Sequence, residues 1–244
     1  MVKGKDPNRP QNYAEFLKCF IGRTENATFC TIENQTDLIL YRDTTDNNLI
    51  AYSVKPLIIT NLSFGYKIIY DLEHFRYNLT TKHLRFSGKC YFQDISNQKW
   101  GNSRTKRNRS MAYYGSRMHF LRALFADSLS QESFKIYDTH SDLQGNWLKT
   151  PNTLHETDLR IALYTDSMTL YHANPIAISY KDNHLNSNGY FSSEYSSVIL
   201  FSDSLQVYKN GYYAESYNLS WGGDMAYDRI AEMLPYDFVP TVKR

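Results

Sequence analysis

The clearest alternation of apolar and polar positions in the chain runs through residues 65–92. Between residues 66 and 72 every even position is apolar, whereas from Phe75 to Leu79 every odd position is apolar. A slip of one residue turns the side chains of a strand to its other face, so a bulge or bend is predicted at Glu73–Phe75. The alternation resumes after a polar stretch at residues 80–83, which predicts a hairpin turn there.

Shorter strand patterns lie on both sides of this hairpin. They cover Leu38–Tyr41, Leu49–Val54, residues 57–60, Phe134–Tyr137, Leu159–Tyr164, Met168–Tyr171, Ile176–Tyr180, Val198–Phe201 and Leu205–Tyr208. Turn-forming residues separate these strands, and Asn210-Gly211 predicts a tight turn of type I′ after the last of them. Short strands at regular spacing favour a mainly β (α+β) fold of antiparallel sheets, arranged as a sandwich or a barrel-like sheet.

Three segments show the period of an α-helix instead. One long helix is predicted near residues 108–127, with a wide apolar face that we expect to pack against a sheet. Short helices are predicted near both termini. The first covers Tyr13–Ile21 and ends at Gly22. The second begins at Asp224, which can cap a helix, and stops before Pro235.

The sequence contains no feature that would divide the chain into several domains. No internal repeat and no low-complexity linker occurs, so a single domain is the economical interpretation. Residues 1–12 are polar and are expected to form a loose lead-in. The single β-rich domain is then predicted to cover residues 13–240, with a candidate seam in the polar stretch 139–157.

Composition supports the β fold, and it predicts neither a polyanionic partner for the whole molecule nor a membrane-spanning helix. The 244 residues include 21 Tyr and 13 Phe, side chains that suit half-buried sheets and can also supply a binding surface. A net charge of +2 is too small to predict a polyanionic partner for the whole molecule. No stretch approaches the roughly eighteen apolar residues of a membrane-spanning helix, so no transmembrane segment is predicted.

The sequence contains no recognisable catalytic or metal-binding motif, so no enzyme is predicted. The seven histidines lack the spacing of a metallopeptidase, and the chain has no phosphate-binding glycine loop and no nucleophile elbow. Cys19, Cys30 and Cys90 lack zinc-site spacing and are predicted to be free thiols. Cys30 falls within an expected strand, which favours an inert thiol over a nucleophile. We therefore predict no catalytic residue, no metal and no cofactor.

The segment before and within the predicted long helix is the most uneven in charge. Seven Lys/Arg residues and no acid lie between Asp94 and Asp127. The basic residues of 104–109 come before the apolar face and are expected to be exposed, where they could contact an anionic surface or nucleic acid. The apolar face that follows is typical of a core helix, so nucleic acid is not the expected partner.

Three residues of this helix are the candidate ligand-binding residues. Arg117 falls inside the apolar face and needs an acidic or carbonyl partner, because an unpaired buried charge is strongly destabilising. A structural ion pair is favoured there over an anion-binding role. His119 and Arg122 lie away from the centre of the apolar face. With Arg117 they could line a pocket for an anionic or sugar-like ligand.

Asn-x-Ser/Thr triplets occur six times, and in a chain this rich in Asn and Thr they arise readily by chance. They begin at Asn26, Asn34, Asn61, Asn78, Asn108 and Asn218. Such triplets would be glycosylation acceptors in a eukaryotic secretory pathway. Because they arise by chance in this composition, no function is assigned to them.

Five phrases occur in order along the chain and together indicate a family. They are FLKCFIGRTENATFCTIEN, KPLIITNLSFGYKIIYDLEHFRY, SGKCYFQDI, YYGSRMHFLRAL and RIAEMLPYDFVP. From about Tyr13 to Pro240 the chain resembles the "carboxypeptidase-like regulatory domain-containing" proteins of Bacteroidota-type bacteria. It is similar to the region that follows a small transthyretin-like β-sandwich in that family. The family name refers to the sandwich, so the resemblance implies neither peptidase activity nor a cofactor.

The resemblance also implies a location and a kind of partner. Members of the family look exported, which implies a place in the cell envelope, in the periplasm or at the outer membrane, if a signal peptide lies upstream. A chain that starts at Met1 as given has no apolar signal segment and is expected in the cytoplasm. The leading hypothesis is a non-catalytic envelope protein, an interaction or assembly module with an unknown protein or glycan partner. The alternatives are an enzyme or binding protein with the pocket described above, and an anionic-surface or nucleic-acid binder through residues 104–109.

Overall fold

The fold is described from a computed structural model of the 244-residue chain. The description covers residues 8–43, 45–96, 102–141, 147–180, 195–214 and 216–241. Strand accounts for 42% of the chain and helix for 26%, and the strands form three antiparallel sheets. The predicted mainly β fold is therefore confirmed. None of the three sheets closes into a barrel within these ranges.

The chain divides into two compact units, which we describe separately. Unit 1 comprises Met1–Arg109 and Arg229–Pro235, and unit 2 comprises Ser110–Asp228 and Tyr236–Arg244. The chain passes from one unit to the other three times, and the first passage, between Arg109 and Ser110, falls within a helix. The single domain over 13–240, with its seam near 139–157, stays a prediction.

Unit 1 is built on a six-stranded antiparallel sheet. Its strands are β1 (Cys30–Ile32), β2 (Leu38–Asp43), β3 (Asn48–Ser53), β4 (Leu57–Asn61), β5 (Tyr66–Asn78) and β6 (Leu84–Asp94). The order is β1-β4-β5-β3-β2, with β6 also paired to β5. The long β5 pairs with β4 near its start and with β3 near its end. It is therefore the central strand of the sheet.

The predicted hairpin and its bulge are both present in β5 and β6. The register between the two strands shifts between Leu72 and His74, where the parity of the apolar residues changes. Gly88 lies opposite Leu72, and a Cβ atom at Gly88 would come within 2.2 Å of the carbonyl oxygen of Asp71. Only a residue without a side chain fits at this point. The strands connect through residues 79–83, as the polar stretch predicted.

Helix α1 (Arg9–Phe20) packs against the sheet of unit 1 through two stacked aromatic rings. Phe16 and Phe20 are fully buried, and the ring of Phe16 lies 4.8 Å from that of Phe75 on β5. The helix begins before the predicted start, so residues 9–12 belong to it and not to a loose lead-in. Pro10, within the first turn, is compatible with this earlier start. Residues 1–7 of the predicted lead-in lie outside the described residues.

Unit 2 contains two antiparallel sheets. Its strands are β7 (Phe134–Ser141), β8 (Trp147–Leu154), β9 (Arg160–Leu163), β10 (Ser167–Leu170), β11 (Ile176–Tyr180), β12 (Tyr195–Phe201), β13 (Leu205–Tyr208) and β14 (Leu219–Gly223). One sheet has the order β14-β12-β11-β7-β8 and the other has the order β13-β10-β9. A short helix, α4 (Glu156–Leu159), precedes β9. Buried side chains from both sheets join one core.

The prediction of one long helix near 108–127 is wrong. Two helices occur there, α2 (Asn102–Tyr113) and α3 (Arg117–Phe125). Gly115 separates them with a φ of +84°, and a Cβ atom on it would lie 2.9 Å from the ring of Tyr180. Ser116 then caps α3, since its side-chain oxygen accepts a hydrogen bond from the backbone N–H of His119 at 3.2 Å. Gly115 therefore interrupts the helical segment, and Ser116 begins the second helix.

Two predictions near the C-terminus also need correction. The short helix expected from Asp224 is two separate 3₁₀ turns, Asp224–Tyr227 and Ile230–Glu232. The turn at Asn210-Gly211 has a positive φ only at Gly211, so it is not of type I′, which needs positive φ at both residues. No helix among the described residues is long and apolar enough to cross a membrane.

Candidate functional site

Helix α3 carries all three candidate ligand-binding residues, Arg117, His119 and Arg122. Its apolar side chains, including Phe120 and Leu124, are buried in the core of unit 2 and fix the helix in place. The polar atoms of the three candidates can therefore be traced one by one.

His119 is a buried, neutral imidazole. It is only 2% exposed, and its Nδ1 accepts a hydrogen bond from the backbone N–H of Gly115 at 3.1 Å. The proton is therefore on Nε2, which lies 3.0 Å from a carboxylate oxygen of Glu132 and donates to it. Burial lowers the pKa of His119, and Glu132 offsets only part of that effect. Both ring nitrogens are thus occupied within the fold.

Arg117 finds a carbonyl partner. Its Nε donates to the carbonyl oxygen of Met225 at 2.7 Å, and its guanidinium lies 5.2 Å from the ring centre of Trp221. The backbone N–H of Arg117 donates to a carboxylate oxygen of Asp228 at 2.9 Å. These contacts attach the start of α3 to the segment that follows β14.

Arg122 binds three backbone carbonyl oxygens at once. Its Nε donates to Asn210 at 2.9 Å, and its two terminal nitrogens donate to Phe238 at 2.7 Å and to Tyr236 at 3.0 Å. The guanidinium also lies 5.5 Å from the ring centre of Tyr113. The predicted ligand-binding trio therefore shares one helix, but each member is engaged by the protein itself.

The basic segment 104–109 is only partly an exposed surface. Arg104, Lys106 and Arg107 are exposed as expected, whereas Arg109 is buried. Its guanidinium lies 3.7 Å from the ring centre of Tyr66 and pairs with Asp94 at 2.8 Å. Arg109 is therefore a structural residue of unit 1, and the expectation that it lies on the surface is wrong.

The three cysteines are free thiols, and none is poised as a nucleophile. Burial raises the pKa of Cys30 to about 12 and the pKa of Cys19 and Cys90 to about 11. The thiolate is the reactive form, and with these raised pKa values the three thiols stay protonated at neutral pH. No group of His, Cys, Asp and Glu among the described residues is arranged to hold a metal ion.

The asparagines of the six Asn-x-Ser/Thr triplets serve the fold. Each side-chain amide donates a hydrogen bond of 2.9–3.2 Å to another residue. Asn61 is fully buried and donates to the carbonyl oxygen of Ala231, which ties the segment Arg229–Pro235 to the sheet of unit 1. Asn26 makes a second tie, because its amide binds both carboxylate oxygens of Glu232.

An open recess of about 740 Å³ lies on the outer face of the three-stranded sheet of unit 2. It is lined by Tyr164, Thr165, Asp166, Ser167, Thr169, Ser204, Gln206 and Asn218. Along β10 and β13 the buried side chains alternate with partly exposed ones. Ser167, Thr169 and Gln206 therefore point away from the core and line the recess, with Thr169 paired to Gln206 across the sheet.

The side chains of the recess are held in defined positions. The amide nitrogen of Gln206 donates to the hydroxyl of Ser167 at 3.3 Å, and its carbonyl oxygen accepts from the hydroxyl of Tyr208 at 3.1 Å. The side-chain amide nitrogen of Asn218 donates to the carbonyl oxygen of Ser204 at 2.9 Å, and this bond does not use the side-chain oxygen of Asn218. Two members of the recess are thus fixed by the protein before any ligand arrives.

The turn between β9 and β10 provides the aromatic and charged part of the recess. The backbone N–H of Tyr164 donates to the carbonyl oxygen of Ser167 at 2.8 Å and closes this turn. The ring of Tyr164 stays largely exposed. Asp166 forms an ion pair with Lys209, and both side chains are mostly in solvent. The recess therefore combines an exposed ring, several hydroxyl and amide groups and a carboxylate whose charge is balanced.

Sequence reasoning did not find this recess. Ser, Thr and Gln at alternate strand positions are the ordinary pattern of a solvent-facing sheet surface. What sets the recess apart is that β10 pairs with β13, a strand about forty residues further along the chain. A local sequence pattern does not show which distant strands pair, so it could not predict that these residues lie together.

Comparisons of the chain with family models, with curated proteins and with solved structures found no match. The resemblance to the carboxypeptidase-like regulatory domain-containing proteins stays a prediction.

Proposed function

We propose that the chain is a non-catalytic β-rich binding protein, an interaction module whose ligand surface is the recess of unit 2. The observation that carries this proposal is that the protein itself fixes side chains of the recess, such as Gln206 and Asn218. Other polar groups that line the recess can still form hydrogen bonds with a ligand. Preformed concave sites with a few oriented polar groups are the usual form of a ligand site. The volume of about 740 Å³ falls within the usual range for such sites.

The state of the reactive side chains supports binding over catalysis. A general base must reach the proton that it removes, and the ring nitrogens of His119 both face protein atoms. A cysteine nucleophile must form a thiolate, and the pKa of Cys30 is raised to about 12. Neither His119 nor Cys30 is therefore arranged for these catalytic roles. The envelope location is part of the same proposal and rests on the sequence resemblance alone.

Amide NMR of the full chain with mixtures of small polar solutes tests the proposal. We expect the amides of residues 164–169 and 204–206 to shift while the solutes are recovered chemically unchanged. Thr169→Val, which removes one hydroxyl from the recess, should weaken the response. Thr153→Val on the exposed part of β8 is the matched control and should leave it intact.

Two results would contradict the proposal. The first is conversion of any solute to a product by the wild-type chain, with loss of that conversion in His119→Gln or Cys30→Ser. The second is a response confined to amides outside the recess.

A further inference from the structure

We infer that the recess of unit 2 binds a neutral saccharide unit, with the sugar stacked on the ring of Tyr164. This inference rests on the proposed function and names the ligand class of the same site. Three features of the recess favour it: its charge, its hydrogen-bonding groups and its exposed ring.

The charge of the recess argues against an ionic ligand. Its one acidic side chain, Asp166, is paired with Lys209 at the rim, and none of the residues that line it is an arginine, lysine or histidine. A phosphate or carboxylate group would lack the charge-assisted partners that usually bind it. Because Lys209 balances the charge of Asp166, the recess also has no net charge to attract a cation. An uncharged ligand avoids both difficulties.

The hydrogen-bonding groups suit a ligand with many hydroxyls. The side chains of Tyr164, Thr165 and Thr169 make no hydrogen bond to another residue of the described ranges, so their hydroxyls can donate and accept towards a ligand. The side-chain oxygen of Asn218 is an additional acceptor. Sugar hydroxyls are themselves both donors and acceptors, so they complement a lining in which hydroxyls predominate.

The exposed ring supplies the apolar contact that a sugar also needs. Tyr164 is 59% exposed and stands at the turn that borders the recess. One face of a pyranose ring carries mainly C–H groups, and these can pack flat against an aromatic ring while the hydroxyls reach the polar floor. An amphipathic ring beside fixed polar groups is a recurrent way to bind a ligand of this kind.

The test compares neutral and charged probes by amide NMR titration of the full chain. The neutral probes are cellobiose and N,N′-diacetylchitobiose, and the charged probes are glucuronate and inorganic phosphate. We expect only the neutral probes to shift the amides of residues 164–169 and 204–206. Tyr164→Ala should weaken their binding about five- to tenfold, and Tyr164→Phe should retain most of it.

Tyr227→Ala is the matched control, because Tyr227 is also 59% exposed and belongs to the same unit. It should leave the affinity for both disaccharides unchanged. An equal loss in Tyr164→Ala and Tyr227→Ala would overturn the role of Tyr164 in stacking.

The remaining outcomes separate the saccharide inference from the proposed function. Binding of glucuronate or phosphate at the same amides, without the neutral sugars, would overturn the assignment of a neutral saccharide and leave a binding protein. Binding of a disaccharide followed by its cleavage would overturn the non-catalytic function and leave the saccharide site. If none of the four probes shifts these amides, the saccharide inference is wrong.

Discussion

Replacing Arg109 with alanine should lower the free energy of unfolding of unit 1 by about 3 kcal/mol. The guanidinium is buried and donates from Nε to the carbonyl oxygen of Phe64 at 2.7 Å. It also pairs with Asp94 at 2.8 Å and lies 3.7 Å from the ring centre of Tyr66. Tyr66 and Asp94 lie opposite each other where β5 begins and β6 ends, so one side chain joins α2 to this end of the strand pair.

The magnitude follows from what each partner loses. The buried carbonyl of Phe64 loses a charged donor, which costs about 1–3 kcal/mol. The contact with the ring of Tyr66 is worth about 1–2 kcal/mol when it is desolvated. Asp94 is half exposed, so solvent screens its ion pair and the loss there is below about 1 kcal/mol. The carbonyl of Gly65 keeps a hydrogen bond from the backbone of Ile95 and adds little.

The assay is native-state hydrogen exchange of the β5 and β6 amides, which reports the stability of unit 1 alone. The control is Arg107→Ala, two residues earlier and exposed, which should change the stability by no more than about 0.5 kcal/mol. Arg109→Lys should restore only part of the loss, because an ammonium cannot reproduce the planar fork and the stacking. A loss below about 1 kcal/mol for Arg109→Ala, or an equal loss for Arg107→Ala, would refute the structural role.

Acid provides a second test of the same ion pair. The hydrogen bond from Arg109, with further bonds from Ser96, lowers the pKa of Asp94 to about 2. The stabilisation is therefore complete above the ordinary aspartate pKa and is lost as the pH falls towards about 2. In Asp94→Asn this acid dependence should become smaller in the exchange of the β5 and β6 amides, and only the share of other carboxylates such as Glu33, whose pKa is lowered by the hydrogen bond from Thr60, should remain.

Three further predictions concern single residues. The pKa of His119 is lowered by burial, so unit 2 should lose stability as the pH falls through the ordinary histidine range, and His119→Gln should remove this loss in urea titrations. Gly115→Ala should destabilise unit 2 by about 1–3 kcal/mol by the same titration, because its φ is +84° and its Cβ would meet the ring of Tyr180. Cys30 should resist alkylation by iodoacetamide near neutral pH until the chain is unfolded, because its raised pKa keeps the thiol protonated. Mass spectrometry measures the labelling, and rapid labelling of the native chain would contradict this prediction.

The parts of the fold that could be predicted are those encoded by neighbouring residues. The change of parity after Leu72 placed the bulge, because each strand residue alternates faces whatever it pairs with. The prediction of one long helix was wrong because the break in it depends on a distant residue. The apolar period continues across Gly115, and only the contact with Tyr180 shows why the backbone must turn there.

The candidate site depended on information that no local pattern holds. Arg109 looked like part of an exposed basic cluster, and its burial depends on Tyr66 and Asp94, which lie on strands of the sheet. The same applies to the recess, since Thr169 and Gln206 become neighbours only through the pairing of β10 with β13. The role of a charged or polar side chain such as Arg109 or Gln206 depends on the residues that the fold brings next to it.

The hydrogen bonds of the six triplet asparagines have a practical consequence for producing the protein. Oligosaccharide transfer in a eukaryotic secretory host acts on the nascent chain, before Asn61 becomes fully buried against Ala231. A glycan attached at that stage would have no room in the folded unit, so the modified chains should be retained and aggregate. Enzymatic removal of the glycan leaves aspartate, which lacks the amide donor and would not restore the contact. Bacterial expression should therefore yield folded protein where secretion from a eukaryotic host does not, and comparing soluble yields from the two would check this.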